Sequence, residues 1–255
     1  MIDTHMHITM EEFDNDREKI VKEFDEVGVE CAVEVGYDLK SSKRAASFAQ
    51  EHEKVYAAVG IHPHDSESVT ESNENWIETI SELLKMPKIV ALGEIGLDYY
   101  RDLSPRDVQK EIFRKQLKLA EKMKMPIIFH VRDAYADVKE MVKNYNVKGV
   151  IHSFNGNEED AKDFVKRGFY IGVGGIATYK RNGKLREIIS HLPIERIVTE
   201  TDCPYLSPQA VRGKRNEPKN VRFVLEMLAE LFGKSFQEME KRTAENAMRL
   251  FEKCV

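Results

Sequence analysis

The chain is 255 residues long, with a net charge of -5 and 33% charged residues. The length suits one (β/α)8 barrel of ~250 residues, and the negative balance argues against a protein that coats nucleic acid by bulk charge. No apolar run approaches the ~18 residues of a membrane span, and Asp3 and His5 interrupt the one place where a secretory signal could start. Cys31, Cys203 and Cys254 are far apart and form no C-x-x-C pair. They read as reduced thiols without a disulfide partner, in a cytoplasmic protein.

The first apolar run, residues 2–7, carries His5 and His7 two apart. Side chains alternate along a strand, so both imidazoles point to one side, and such a pair is half of a metal site. Phe13, Ile20, Phe24 and Val27 then form a helical stripe. β-branched runs follow at 31–37, 55–62 and 89–97. Ser104 is expected as an N-cap, with Pro105 at the first helical position and Asp107 in the first turn. Val108, Ile112, Phe113, Leu117 and Ala120 give that helix its apolar face. Runs at 127–131, 149–154, 169–175 and 197–202 complete eight βα alternations. A proline-containing loop from 203 to about 217 and terminal helices at 218–232 and 236–253 end the chain. Strict alternation predicts a parallel sheet with helices outside it. No G-x-G-x-x-G or P-loop opens the first helix. The prediction is a closed α/β (β/α)8 TIM barrel, one domain over residues 1–255.

Barrel enzymes keep their chemistry at the C-terminal ends of the strands. There this sequence places His5 and His7, Gly60-Ile61-His62-Pro63-His64, Glu94, His130, His152 and Glu200-Thr201-Asp202. One strand-end histidine is usually a satisfied core residue, whereas several on one rim argue for a metal. Imidazole suits Zn2+ and Mn2+, and carboxylates add affinity for hard ions. His5, His7, Glu94, His130, His152 and Asp202 are too many for one open catalytic ion. They suffice for two divalent ions (Zn, Mg or Mn) that share a bridging carboxylate, and Glu94 is the natural bridge.

These motifs, with Gly93-Glu94-Ile95-Gly96-Leu97-Asp98-Tyr99, His152-Ser153-Phe154 and Glu200-Thr201-Asp202-Cys203-Pro204-Tyr205, resemble the TatD-type deoxyribonucleases along the whole chain. The resemblance implies a metal-dependent hydrolase that cleaves DNA, often from a 3′ end. It assigns the same six residues as ligands and sets His62 on the substrate phosphate. Cys203 stands where several relatives carry alanine. Barrel amidohydrolases that also begin H-x-H commonly bridge their metals with a modified lysine from strand four, where this chain has Glu94.

Other candidates have plainer readings beside the functional one. His62 and His64 flank Pro63 and could form a simple turn; His62 is read as a phosphate contact, and His64 as a further substrate candidate. Glu200 either orients a metal-bound water or is a buried carboxylate with a partner. Tyr99, Tyr100 and Arg132 could clamp phosphate or stack on a base, or merely pack. Lys180, Arg181, Lys184 and Arg186 follow strand seven, and Arg212, Lys214 and Arg215 follow strand eight. Being on the metal rim, they read as a phosphate-binding edge rather than a solvated face. The expected function is a two-metal phosphodiesterase acting on single-stranded or frayed DNA. Asp202 would take the water's proton, with Glu94, His62 and Glu200 in support. The alternatives are an amidohydrolase-type enzyme and a non-catalytic, metal-carrying nucleic-acid scaffold.

Overall fold

In the computed structural model, which describes residues 1–71 and 75–252, eight parallel strands lie side by side in chain order. They are β1 (Ile2–Met6), β2 (Cys31–Val35), β3 (Val55–Val59), β4 (Ile89–Asp98), β5 (Ile127–Arg132), β6 (Gly149–Ile151), β7 (Tyr170–Val173) and β8 (Ile197–Thr199). Helices occupy the connections, giving the (β/α)8 barrel. Among the described residues no helix is long and apolar enough to cross a membrane.

The β1–β8 seam is closed differently from the others. The Thr4 hydroxyl donates to Thr199 O and the Thr199 hydroxyl to Ile2 O, each at 3.1 Å. Above them Asp202 N–H donates to His5 O and His7 N–H to Cys203 O, both at 2.8 Å. Buried Asp3 accepts the Thr201 N–H at 2.9 Å and the Thr201 hydroxyl at 2.5 Å. Burial pushes the Asp3 carboxyl up to about 8, against the pull of these donors. The seam thus fixes the two segments that carry His5, His7 and Asp202.

Two glutamines on one face of the helix Arg106–Met123 position further strand ends. Gln116 accepts from Ile61 N at 2.8 Å and donates to Ile61 O at 2.9 Å, beside His62. Gln109 accepts the Asp98 N–H at 2.9 Å and donates to Asp98 O at 3.2 Å. Ile112, Phe113, Leu117 and Ala120 bury the same face against the barrel. Glu34, 1% exposed, turns the chain after His7 by accepting the N–H groups of Ile8 and Thr9 and the Thr9 hydroxyl.

Several boundaries differ from expectation. β3, β6 and β8 stop before His62, His152 and Asp202, which sit just past the strand ends. Asp202 has φ 58° and Ser153 has φ 44°, conformations that leave the extended ladder. The stripe from Phe13 to Val27 is not one helix. It is a 3-10 turn (Glu11–Phe13) and two short helices (Arg17–Lys22, Phe24–Val27), interrupted where Asp14-Asn15-Asp16 favour local turns. Ser104 does not cap the following helix, which begins at Arg106; its hydroxyl donates to His64 O and accepts the Glu67 N–H. Of the terminal helices, the first begins later than predicted (Val221–Phe232) and the second ends earlier (Phe236–Leu250). Cys31 and Cys203 are buried free thiols, and Cys254 lies outside the described residues.

Candidate metal centre

β1 and the residue that follows it bring the Nε2 atoms of His5 and His7 to 3.1 Å. His7 Nδ1 lies 2.8 Å from Val35 O, so the ring donates its Nδ1 proton there and presents the Nε2 lone pair to the cluster. Glu94 faces two groups of donors. Its Oε2 is 3.6 Å from His5 Nε2, while its Oε1 is 2.7 Å from His130 Nδ1 and 3.7 Å from His152 Nε2. Asp202 Oδ1 lies 3.6 Å from His7 Nε2 and 3.8 Å from both His5 Nε2 and His152 Nε2. The structure therefore brings all six expected metal-type residues together.

This donor set fits divalent ions. Nitrogen and oxygen ligands ~2.1 Å from an ion, in tetrahedral or octahedral shells, lie about 3.0–3.4 Å from one another. The observed nitrogen–nitrogen and nitrogen–carboxylate separations of 3.1–3.8 Å around His5, His7 and Asp202 are close to that spacing. Buried His5 Nδ1, His152 Nδ1 and Glu200 Oε2 have no hydrogen-bond partner among the described residues. So much buried polarity needs a compensating charge.

The electrostatics follow from this crowding. Burial, reinforced by His152, holds His5 well below the ordinary histidine value. Burial opposes ionisation of Glu94, but His152, His130, His5 and His62 together hold it well below the ordinary carboxylate range. Burial would lower His130 and His152 as well. Carboxylates win instead: Glu94 and Asp98 raise His130 to about 9, and Glu200, Glu94 and Asp202 raise His152 to about 10.

His62 stands beside the cluster, its Nε2 3.9 Å from Glu94 Oε1. Its Nδ1 accepts the His64 N–H, which leaves the proton of a neutral ring on Nε2. Glu200 backs His152: Oε1 accepts the Ser153 N–H at 2.6 Å and lies 3.1 Å from His152 Nδ1, without hydrogen-bond alignment. Gly172 makes room for this carboxylate, since a Cβ there would sit 2.6 Å from Glu200 Oε2. Asp98 is a site neighbour that sequence reasoning missed. Its Oδ2 lies 2.8 Å from His64 Nε2 and 3.0 Å from His130 Nε2.

The rim candidates divide. Lys180, Arg181 and Arg212 are exposed, with Arg212 over the Tyr179 ring at 4.3 Å. Arg132 lies 4.7 Å over Tyr100, which is 62% exposed. Tyr99 is engaged elsewhere, donating its hydroxyl to Asp137 at 2.6 Å beneath Arg106. Arg186 donates to Ala177 O and Tyr179 O. Arg215, expected on the phosphate-binding edge, has its guanidinium committed to both carboxylate oxygens of Asp16, to Glu217 and to Glu12 O. A charge count along the loop could not reveal Asp16, 199 residues away in the chain.

A model described as TatD related DNase matches residues 2–252. The chain belongs to the TatD-related DNase family. It is 42% identical to the metal-dependent hydrolase YabD of Bacillus subtilis (strain 168), over 98% of both chains. It is 32% identical to the 3'-5' ssDNA/RNA exonuclease TatD of Escherichia coli (strain K12), again over 98% of both. The crystal structure of YjjV, a TatD homologue from Escherichia coli K12, superposes with a TM-score of 0.91 at 30% identity, covering 99% of this chain and 98% of that one. Family membership agrees with the resemblance carried by the strand-end motifs. Organophosphorus hydrolase from Deinococcus radiodurans, at 13% identity and a TM-score of 0.67, shares the barrel fold alone.

Proposed function

We propose that this TatD-family hydrolase is a divalent-metal-dependent exonuclease that removes nucleotides from the 3′ end of single-stranded nucleic acid. The observation that carries the reading is the division of donors around Glu94, whose two oxygens face different histidines. His5, His7, Asp202 and Glu94 would hold one ion, and Glu94, His130 and His152 a second. When bound, such ions acidify water and neutralise charge on a phosphate. The substrate class is supported by relatives named 3'-5' ssDNA/RNA exonuclease at 32–33% identity.

The chain's own groups have separable tasks. The Nε2 proton of His62 is a hydrogen-bond donor at the edge of the cluster, suited to a phosphate oxygen as negative charge builds on it. The Asp202 side chain is 15% exposed, against 6% for Glu94 and 1% for Glu200, so among these three carboxylates Asp202 is the one best placed to meet water and accept its proton. Lys180, Arg181 and Arg212 attract the phosphate backbone to a protein whose net charge is -5. Glu200 keeps His152 in place from behind.

The test is a 5′-labelled single-stranded oligonucleotide incubated with metal-loaded enzyme, run beside dipeptides, hydantoins and lactones, with and without chelator. A chelator-sensitive ladder shortening stepwise from the 3′ end, with the small substrates intact, is expected. Chelator-sensitive hydrolysis of an amide or lactone beside intact DNA would instead make the chain an amidohydrolase-type enzyme.

A further inference from the structure

Asp98 ends β4 and is 2% exposed, and it is not one of the six residues assigned to the metal shell. Its backbone and side chain are both pinned. Gln109 grips the backbone on both sides, through Asp98 N and Asp98 O. The Asp98 Oδ1 accepts the N–H groups of Tyr100 at 2.9 Å and Arg101 at 2.7 Å. The carboxylate plane is thereby set, and Oδ2 is aimed at two imidazoles from different strands. His64 Nε2 lies 2.8 Å away and His130 Nε2 3.0 Å away.

A carboxylate offers only acceptors. Each of those Nε2 atoms must therefore carry a proton to bond to it. For His130 the consequence is decisive, because its other nitrogen, Nδ1, is the one 2.7 Å from Glu94 Oε1. Facing a carboxylate, Nδ1 too carries a proton in the metal-free chain. Once a metal displaces that proton, a ring held as Nε2–H offers its Nδ1 lone pair to the ion, while the opposite tautomer would turn an N–H there and could not ligate. His7 solves the same problem in mirror image, donating Nδ1–H to Val35 O and presenting Nε2.

We propose that Asp98 is the positioning residue that keeps the His130 proton on Nε2, so that His130 enters the metal shell through Nδ1. The inference rests on the metal-centre reading above and deepens it. β4 continues through Asp98, which pairs with Arg132 of β5. Gly96, with φ 152°, lets β4 pass so close to His130 that a Cβ would lie 1.9 Å from His130 O, which brings Asp98 within reach of the ring.

Asp98→Asn distinguishes this role from packing, because it keeps the shape and changes one acceptor to a donor. If the amide NH2 replaces Oδ2, it can bond only to an unprotonated Nε2, which moves the His130 proton to Nδ1. If it replaces Oδ1, it opposes the N–H groups of Tyr100 and Arg101. The experiment is long-range 1H–15N NMR of histidine rings in the Zn2+-loaded full chain, with Zn2+ affinity by calorimetry. In the wild type His130 should carry its proton on Nε2 with Nδ1 metal-shifted. Asp98→Asn should weaken Zn2+ binding by ~10–100-fold, the usual effect of losing an outer-shell partner, and Asp98→Glu should recover part of that loss. His64→Ala, which leaves Asp98 and His130 intact, should leave the His130 tautomer unchanged. The wild-type spectrum decides even if a variant fails to fold: a His130 proton on Nδ1 overturns the proposal. Folded Asp98→Asn protein with wild-type Zn2+ affinity overturns it too. Loss of Zn2+ affinity in Asp98→Asn with the wild-type chain showing Nδ1 ligation supports it and leaves the exonuclease assignment to its own assay.

Discussion

His64 donates its backbone N–H to His62 Nδ1 at 3.1 Å, and His62 Nε2 lies 3.9 Å from Glu94 Oε1. That bond works against His62 as a ligand through Nε2. Deprotonating Nε2 would move the proton to Nδ1, where it would confront the His64 N–H. The same bond makes His62 a ready donor to substrate.

His62→Ala should therefore keep its metal content while kcat falls ~10²-fold or more, the typical cost of losing a donor to transition-state charge. Metal analysis by mass spectrometry beside steady-state kinetics separates the two readouts. A His62→Ala protein purified without metal would move His62 into the ligand set.

Metal binding should release protons. With His130 raised to about 9 and His152 to about 10, both rings are protonated in the metal-free chain at pH 7. Ligation requires one proton to leave each. Calorimetric titration with Zn2+ in buffers of different ionisation enthalpy should show this release, diminishing above about pH 9 to 10. Raised histidines also stabilise the metal-free fold fully below their ordinary value near 6.5, and that contribution is lost as pH rises through 9 and 10. The Tm of metal-free protein should accordingly fall between pH 7 and 10. Buffer-independent binding heats would show that the rings are already neutral.

The six ligand-type residues were legible because each follows an apolar run, and a strand carries such residues to one rim. The H-x-H spacing of His5 and His7 needed only the period of a strand. Asp98 was hidden for a physical reason. Its Oδ1 bonds to Tyr100 N and Arg101 N, an ordinary local turn contact, and its second oxygen gains meaning only from His64 and His130. Ser104 likewise looked like a helix cap because local spacing cannot show that His64 O and Glu67 N would compete for its hydroxyl. Arg215 looked available until the fold brought Asp16 to it.

The rim divides accordingly into two tests. Reversing Lys180, Arg181 and Arg212 to Glu should weaken single-stranded DNA binding. It should also flatten the dependence of log Kd on log salt, by about 0.7 for each phosphate no longer neutralised. Metal content should stay constant. An unchanged slope would return these three side chains to a merely solvated face.

Arg215→Ala should act on stability instead. Its guanidinium bonds both Asp16 oxygens, at 2.9 and 2.6 Å, and lies 4.3 Å from the Phe13 ring centroid. Asp16 is held below the ordinary carboxylate value by this partner, so the pair's contribution is present above about pH 4 and lost as pH falls through the lowered value. Loss of the partly exposed pair should cost about 1–2 kcal/mol, a Tm decrease of ~2–8 °C at neutral pH. A flattened salt dependence of DNA binding with an unchanged Tm would instead place Arg215 on the binding edge.

The bridge at Glu94 is the claim on which the rest depends, and anomalous diffraction from metal-loaded crystals measures it most directly. Data collected on either side of the absorption edge should give two peaks sharing Glu94, one touching His5, His7 and Asp202 and the other touching His130 and His152. A single peak, or a second peak that excludes Glu94, would contradict the account.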